Sequence, residues 1–186
     1  MPVKKIPAAT AEDLLRPVWI RAVLTVAFAV LAIFWQNESL ALLKYSLAAF
    51  FVLGASAVWD YVKSSVVPEK LRANLALGAA LWGVSGIAAI FAPSTAAAAI
   101  IAAVGFFGMG VAELVGGLRV RAEFTPARDQ VLLGGLGIVT GIGLGVGVSL
   151  DPHGVLGIAG TGVIVMAVLL LISAAGLTHD ARKSAS

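Results

Sequence analysis

Apolar runs of about helix-crossing length alternate with short polar interruptions along the whole chain. The runs cover 18–35, 40–59, 73–92, 95–118, 130–149 and 154–177, and a helix needs about 20 apolar residues to cross a bilayer core. The connections between them alternate short, long, short, long, short. The pattern predicts an all-α membrane protein of six transmembrane helices, arranged as three hairpins at 18–59, 73–118 and 130–177. A polar tail at 1–17 precedes them and one at 178–186 follows. The short connections are built for tight turns: Gln36-Asn37-Glu38-Ser39, Ala92-Pro93-Ser94-Thr95 and Ser149 to Gly154 through Asp151-Pro152-His153. Ser39, Ser94 and Asp151 are the expected N-caps of the return helices. Within the N-terminal tail, Glu12, Asp13, Leu14 and Leu15 suit either a short interfacial helix ending at Pro17 or a disordered segment.

Charge gives the hairpins a direction. Of the 13 Lys and Arg residues, all but Lys44 fall in the tails, the long loops or the helix ends beside them. They are Lys4, Lys5, Arg16 and Arg21, then Lys63, Lys70 and Arg72, then Arg119, Arg121 and Arg128, and finally Arg182 and Lys183. Basic residues are retained on the cytoplasmic side, so both termini are expected inside and the three tips outside. The charged fraction is 12%, about half that of a soluble domain. Its basic excess therefore reads as juxtamembrane charge and not as a nucleic-acid surface. The leading region is long and interrupted by Glu12 and Asp13, and no small-x-small cleavage pattern follows its apolar run before Gln36. The first segment is accordingly read as a retained membrane helix and not a signal peptide.

The hairpins repeat weakly. Ile33-Phe34-Trp35 aligns with Ile90-Phe91-Ala92, and Ala92-Pro93 with Asp151-Pro152, at offsets of 57 and 59 residues. Each unit runs out, turns, returns and ends in basic residues, so the repeats are expected to be parallel and not inverted. Glycine is distributed unevenly: of 21, only Gly54 precedes residue 73. Gly108, Ala112 and Gly116 share one face of the fourth helix, and Gly137, Gly141 and Gly145 one face of the fifth. Small residues at this spacing let helix backbones approach closely, so both triplets are expected at helix–helix contacts. The second and third hairpins are then the tight part of the bundle, and Phe28, Phe34, Trp35, Phe50 and Phe51 of the first are expected to face lipid or a partner protein. Trp19, Trp35, Trp59 and Tyr61 sit at segment ends, where amphipathic aromatics anchor at the interface.

The middle hairpin carries Gly86 through Pro93 (Gly-Ile-Ala-Ala-Ile-Phe-Ala-Pro), then Gly105 through Leu114 (Gly-Phe-Phe-Gly-Met-Gly-Val-Ala-Glu-Leu), then Arg119-Val120-Arg121. This succession of glycine, apolar run, Pro turn, Gly-x-x-Glu-Leu and basic exit resembles the repeat core of the HdeD-like short-repeat membrane proteins. The resemblance spans most of 18–183. The first hairpin departs from it with Gln36-Asn37 at the turn and Asp60 at the helix end, and the third has no acidic residue before Asp180 in its return half. The resemblance implies a multi-pass protein of the bacterial inner membrane, with a link to acid resistance through the family's named member.

Candidate chemistry is sparse. Glu113 lies about five residues before the end of the fourth segment, and an ionisable residue inside a membrane span is by default a candidate functional site. The plainer reading pairs it with Arg119 or Arg121 at the cytoplasmic rim. Asp60 lies beside Lys63, and an ion pair between them is expected. Arg21 and Lys44 near segment starts are read as snorkelling side chains. Asp151 and His153, with Glu38, form the titratable set expected on the outer face. They suit an acid sensor, or more plainly a solvated turn. His179 lies toward the opposite face, and Asp151 with His153 are too few ligands for zinc. The chain has no cysteine, which excludes disulfides, iron–sulfur clusters and thiol catalysis. The glycine run from Gly141 to Gly147 lies inside an apolar span with no strand before it, so it is not a nucleotide fingerprint.

These readings converge on a non-enzymatic structural or accessory membrane module with no cofactor and no metal. Its partners are the lipid bilayer and either another membrane protein or a second copy. The competing expectation is a small transporter or lipid-binding protein that uses Glu113, and the scarcity of intramembrane polar residues argues against a pump or ion channel.

Overall fold

The computed structural model describes residues 6–35 and 39–182. Gln36, Asn37 and Glu38 of the first turn, and Lys4, Lys5 and Lys183 of the basic set, lie outside the described residues. The order is α1 (Ala8–Phe34), α2 (Leu40–Lys63), α3 (Glu69–Ile90), α4 (Thr95–Val120), α5 (Ala127–Val146) and α6 (Pro152–Arg182). All six are long and apolar enough to cross a membrane. Hydrocarbon offers backbone amides no partners, so a spanning segment must satisfy them internally, as a helix does. In the most apolar window of each span, 39–50% of residues are buried in the bundle. The remainder, such as Leu77 (73% exposed) and Val139 (68%), face outward as a lipid-contacting surface would.

The helix starts form as their sequences dictate. Ser39 Oγ accepts from Leu42 N–H, and Ser94 Oγ accepts from Ala97 N–H, both at 3.2 Å. Asp151 Oδ1 accepts from Gly154 N–H at 2.9 Å, with Pro152 at the first helical position, where its missing N–H costs nothing. All three expected caps are present. The first helix differs from expectation. It begins at Ala8 and continues through Pro17, so 8–16 is neither a tail nor a separate interfacial helix. Ala11 and Leu14 are fully buried. Docking this apolar face outweighs the one backbone hydrogen bond that Pro17 cannot donate. At the other end α6 extends to Arg182.

Each helix packs against the next, and α6 packs back on α1, closing a ring in which α2, α4 and α6 also touch one another. The α4–α5 contact is the most extensive, whereas α5 is only loosely packed on α6, and α1 on α2. Glycine decides this. A Cβ added at Gly134 would lie 2.5 Å from Leu114 N and 2.6 Å from Gly110 O; at Gly141, 2.7 Å from Phe107 N; at Gly117, 2.8 Å from Ala127 O. Here backbone meets backbone, and no side chain can move aside. Gly137 and Gly141 therefore sit at a helix contact as their spacing predicts, but Gly145 meets nothing within 4 Å. Each four-residue step advances the helix about 40° past a full turn, so the third glycine has rotated off the seam. The Gly108–Ala112–Gly116 face meets α3 and not α5: Gly108 abuts Leu81, Ala112 abuts Gly78, and Gly116 abuts Leu71 and Asn74. Gly110 and Gly117 carry the α5 side.

The bulky residues of the first hairpin divide. Phe34 and Trp35 are exposed, as expected, but Phe28 and Phe50 are 5% exposed and Phe51 is fully buried. The expectation that they face lipid is corrected by what lies opposite them. A Cβ on Gly105 would come within 2.9 Å of the Phe51 ring, and one on Gly54 within 2.8 Å of Trp82. Glycines on α2 and α4 make the room that the aromatic rings fill.

Gly141→Leu and Gly134→Leu are expected to lower the melting temperature in detergent strongly, because a large side chain there must separate two backbones. Gly145→Leu is expected to leave it nearly unchanged. Equal losses at all three positions, measured by thermal unfolding, would overturn the assignment of the seam.

Candidate functional site

The charged residues buried inside the bundle, among those described, are Arg21 and Glu113, and they meet. Arg21 of α1 and Glu113 of α4 form an ion pair, Nη1 to Oε1 at 2.5 Å, with side chains only 9% and 2% exposed. The α1 and α4 backbones make no packing contact of their own, and the long arginine side chain spans the gap between them. It passes over Trp82 of α3, whose ring centroid is 5.4 Å from the guanidinium carbon. A cation over the face of an indole is stabilised by the ring quadrupole. Thr25 Oγ1, one turn on, donates to the Arg21 carbonyl at 2.7 Å. Beside the pair lies an aromatic cluster centred on Phe50, with Phe28, Trp82 and Phe106 at centroid distances of 4.7, 5.5 and 5.7 Å.

Glu113 therefore departs from the rim pairing that its sequence position suggests. Its partner is Arg21, not Arg119 or Arg121, and Arg21 does not snorkel. The reason is geometric. Glu113 faces the ring interior, while a basic residue six or eight positions later on the same helix lies beyond its reach. Arg21, buried in the middle of α1, faces inward and meets Glu113 there.

Two further polar residues approach the pair. Tyr61 of α2 and Gln130 of α5 are 5% and 6% exposed, and neither the Tyr61 hydroxyl nor Gln130 Oε1 has a hydrogen-bond partner. The expected interfacial role of Tyr61 is corrected by this burial; Trp19, Trp35 and Trp59 do lie exposed. Tyr61, Gln130 and Arg21 line a cavity of about 20 Å³, enough for one water molecule, which needs two to four polar partners. A larger cavity of about 220 Å³ shares the Tyr61 and Gln130 wall and extends between α1, α5 and α6 past Asp129, Ser173 and Asp180. Ser173 donates to Asp129 Oδ2 at 2.6 Å. The two cavities share the wall formed by Val18, Tyr61, Gln130 and Leu170, and the smaller one touches Arg21 of the buried pair.

The other expected site residues stay apart from this centre. Asp60 pairs with Lys63 at 3.4 Å on the exposed side of α2, as expected. Asp151 caps α6, and His153 lies exposed in its first turn. Both are at the opposite end of α6 from His179. Among the described residues no three His, Asp or Glu side chains cluster as metal ligands would. Sequence reasoning missed Arg21, Trp82 and Gln130. A signal was present: Arg21, Tyr61, Glu113 and Gln130 all fall within about two turns of the same end of their segments.

A closed ring of six membrane-length helices around a buried ion pair defines a multi-pass α-helical membrane protein. No protein-family model, no curated protein and no solved structure matches the chain.

Removing one partner of a buried pair leaves the other uncompensated and costs about 3–5 kcal/mol, whereas replacing both by apolar groups is often neutral. Arg21→Met and Glu113→Gln are each expected to destabilise the protein in detergent, and Arg21→Met/Glu113→Met to recover most of the loss. Single variants that unfold like the wild type would show that the pair contributes nothing to the fold.

Proposed function

We propose that this chain is a non-enzymatic protein of the bacterial cytoplasmic membrane that works as a small transporter or lipid-binding protein, with Glu113 as its functional carboxylate. The observation that carries this reading is a buried Arg21–Glu113 pair whose arginine lines a small cavity, beside a larger one, with the Tyr61 hydroxyl and Gln130 Oε1 on their shared wall lacking a hydrogen-bond partner. A purely structural pair gains nothing from such a cavity. A carboxylate that exchanges its arginine for a ligand or a proton requires one. The site then works by alternation: Glu113 is held by Arg21 at rest and released when an incoming group competes for either partner. The surrounding aromatic rings exclude water on the far side and keep the local dielectric low, which strengthens each exchange.

A second reading is favoured by one observation. The pair bridges two helices whose backbones do not pack directly on one another, as a structural pin would. In that reading the chain is an accessory module of acid or envelope stress, working with another membrane protein or a second copy. Membership of the HdeD-like proteins and three parallel-repeat hairpins belong to this proposal. They are supported by the Gly86–Leu114 motif and by the turn spacing. The cytoplasmic placement of both termini is supported by the basic residues at that end of the bundle.

Exchanging the charges separates the two readings. Arg21→Glu/Glu113→Arg restores an ion pair and is expected to restore membrane abundance while abolishing retention of any copurifying small molecule, read by native mass spectrometry. Full recovery of both ligand retention and acid-survival phenotype would favour the pin. For orientation, Cys introduced at Ser94 is expected to react with an impermeant thiol reagent in intact cells and Cys at Ser64 to remain unlabelled. Labelling at Ser64 would reverse the topology.

A further inference from the structure

The larger cavity has a chemistry of its own. Its walls are mainly aliphatic, from Leu14 and Val18 of α1, Leu133 of α5 and Leu170 and Leu177 of α6. Its charged lining residues are Asp129 and Asp180, and among the described residues no basic one lines it, on a chain whose net charge is +3. Asp129 is half-buried, and its contact among the described residues is the Ser173 hydroxyl, not a cation. A carboxylate in an apolar-walled recess is strongly disfavoured unless an opposite charge meets it. At the inner wall, Tyr61 and Gln130 are only 5% and 6% exposed, and each presents an oxygen without a protein partner. The recess thus offers a negative charge on one side, two hydrogen-bond acceptors deeper in, and an apolar body between.

We propose that this cavity binds a small amphipathic organic ammonium: a primary amine on an apolar body, free and not part of a lipid headgroup. Its N–H groups donate to Asp129 and to Gln130 Oε1, while its hydrocarbon packs between Leu14, Leu133 and Leu170. At about 220 Å³ the recess is smaller than the 300–1,000 Å³ pockets of drug-sized ligands, so the ligand is small. The aliphatic walls select against a bare metal cation, which would lose its water without gaining a shell of oxygen ligands. This rests on the reading of the protein as a transporter or binding protein and names its ligand class. The ammonium enters where α5 and α6 are loosely packed and reaches the Tyr61–Gln130 wall, beyond which lies the pair.

The test uses the full chain in lipid nanodiscs and isothermal titration calorimetry with 2-phenylethylamine as probe. Its uncharged counterpart 2-phenylethanol, potassium chloride and vesicle-borne phosphatidylethanolamine are the comparison ligands. Saturable binding of the amine alone is expected, weakened about tenfold or more in Asp129→Asn, as loss of a charge-assisted contact implies. Gly176 lines the recess and its added Cβ would meet nothing within 4 Å. Gly176→Phe is therefore expected to block binding without disturbing the fold, and Gly176→Ala to preserve it. These two variants decide the matter if Asp129→Asn does not accumulate. Equal affinity for 2-phenylethanol would reduce the recess to a hydrophobic slot. Displacement of the amine by potassium, or tighter binding of phosphatidylethanolamine, would replace the ligand class. Binding that appears only in Lys4→Gln/Lys5→Gln would make the cation one of the chain's own. Each of these outcomes overturns the proposal. Glu113→Gln tests the broader reading separately: amine binding together with a Glu113→Gln protein that accumulates and keeps the wild-type phenotype removes the transport role and leaves the site standing.

Discussion

A guanidinium and a carboxylate carried into hydrocarbon have only the protein to neutralise them, and here they sit on helices whose backbones do not pack directly on one another. Arg21 reaches from α1 across Trp82 to Glu113 on α4. That reach is possible only if α1 lies on the far side of the ring with its arginine inward, which in turn requires α6 to close back on α1. The pairwise helix packing, the placement of Trp82 and the inward face of α4 are all consistent with this one electrostatic requirement. Isolated, either charge would favour a different rotation of its helix toward the interface, where long side chains reach water.

Around the pair, the bundle is built from complementary sizes. α4 and α5 approach through Gly110, Gly117, Gly134, Gly137 and Gly141 until backbone nearly touches backbone. At the same level on the other side, Gly54 and Gly105 receive Trp82 and Phe51. Glycine therefore has two uses here. Opposite another glycine it shortens the distance between helices; opposite an aromatic ring it makes a socket. With no hydrophobic drive between helices in lipid, such van der Waals complementarity is the main source of association.

The tight α4–α5 seam has a consequence at the opposite face of α5. Drawn toward α4, this helix leaves a gap toward α6, and in that gap lie Asp129, Ser173 and the recess ending at Tyr61 and Gln130. The recess and the closest packing in the molecule are thus two sides of one helix.

Much of this protein was legible in its residue order, because hydrocarbon enforces simple rules. Segment length and apolarity give six spanning helices; Ser39, Ser94 and Asp151 mark the return starts; small-residue spacing marks Gly108, Ala112, Gly116, Gly137 and Gly141 as contacts. Each depends on neighbours within a few residues of chain. What the chain order could not disclose was which faces meet. Glu113 has two arginines close by in sequence and pairs with one 92 residues away. Phe28, Phe50 and Phe51 look lipid-facing until glycines on other helices are seen opposite them. Gly145 belongs to its row by spacing and leaves it by rotation. Tyr61 and Gln130 are ordinary helix-end residues until the ring brings their oxygens to one wall. Helix formation is local, because each amide is satisfied within four residues, whereas helix rotation is set by all the partners of a face at once. Only the closed ring could decide where the few polar side chains meet.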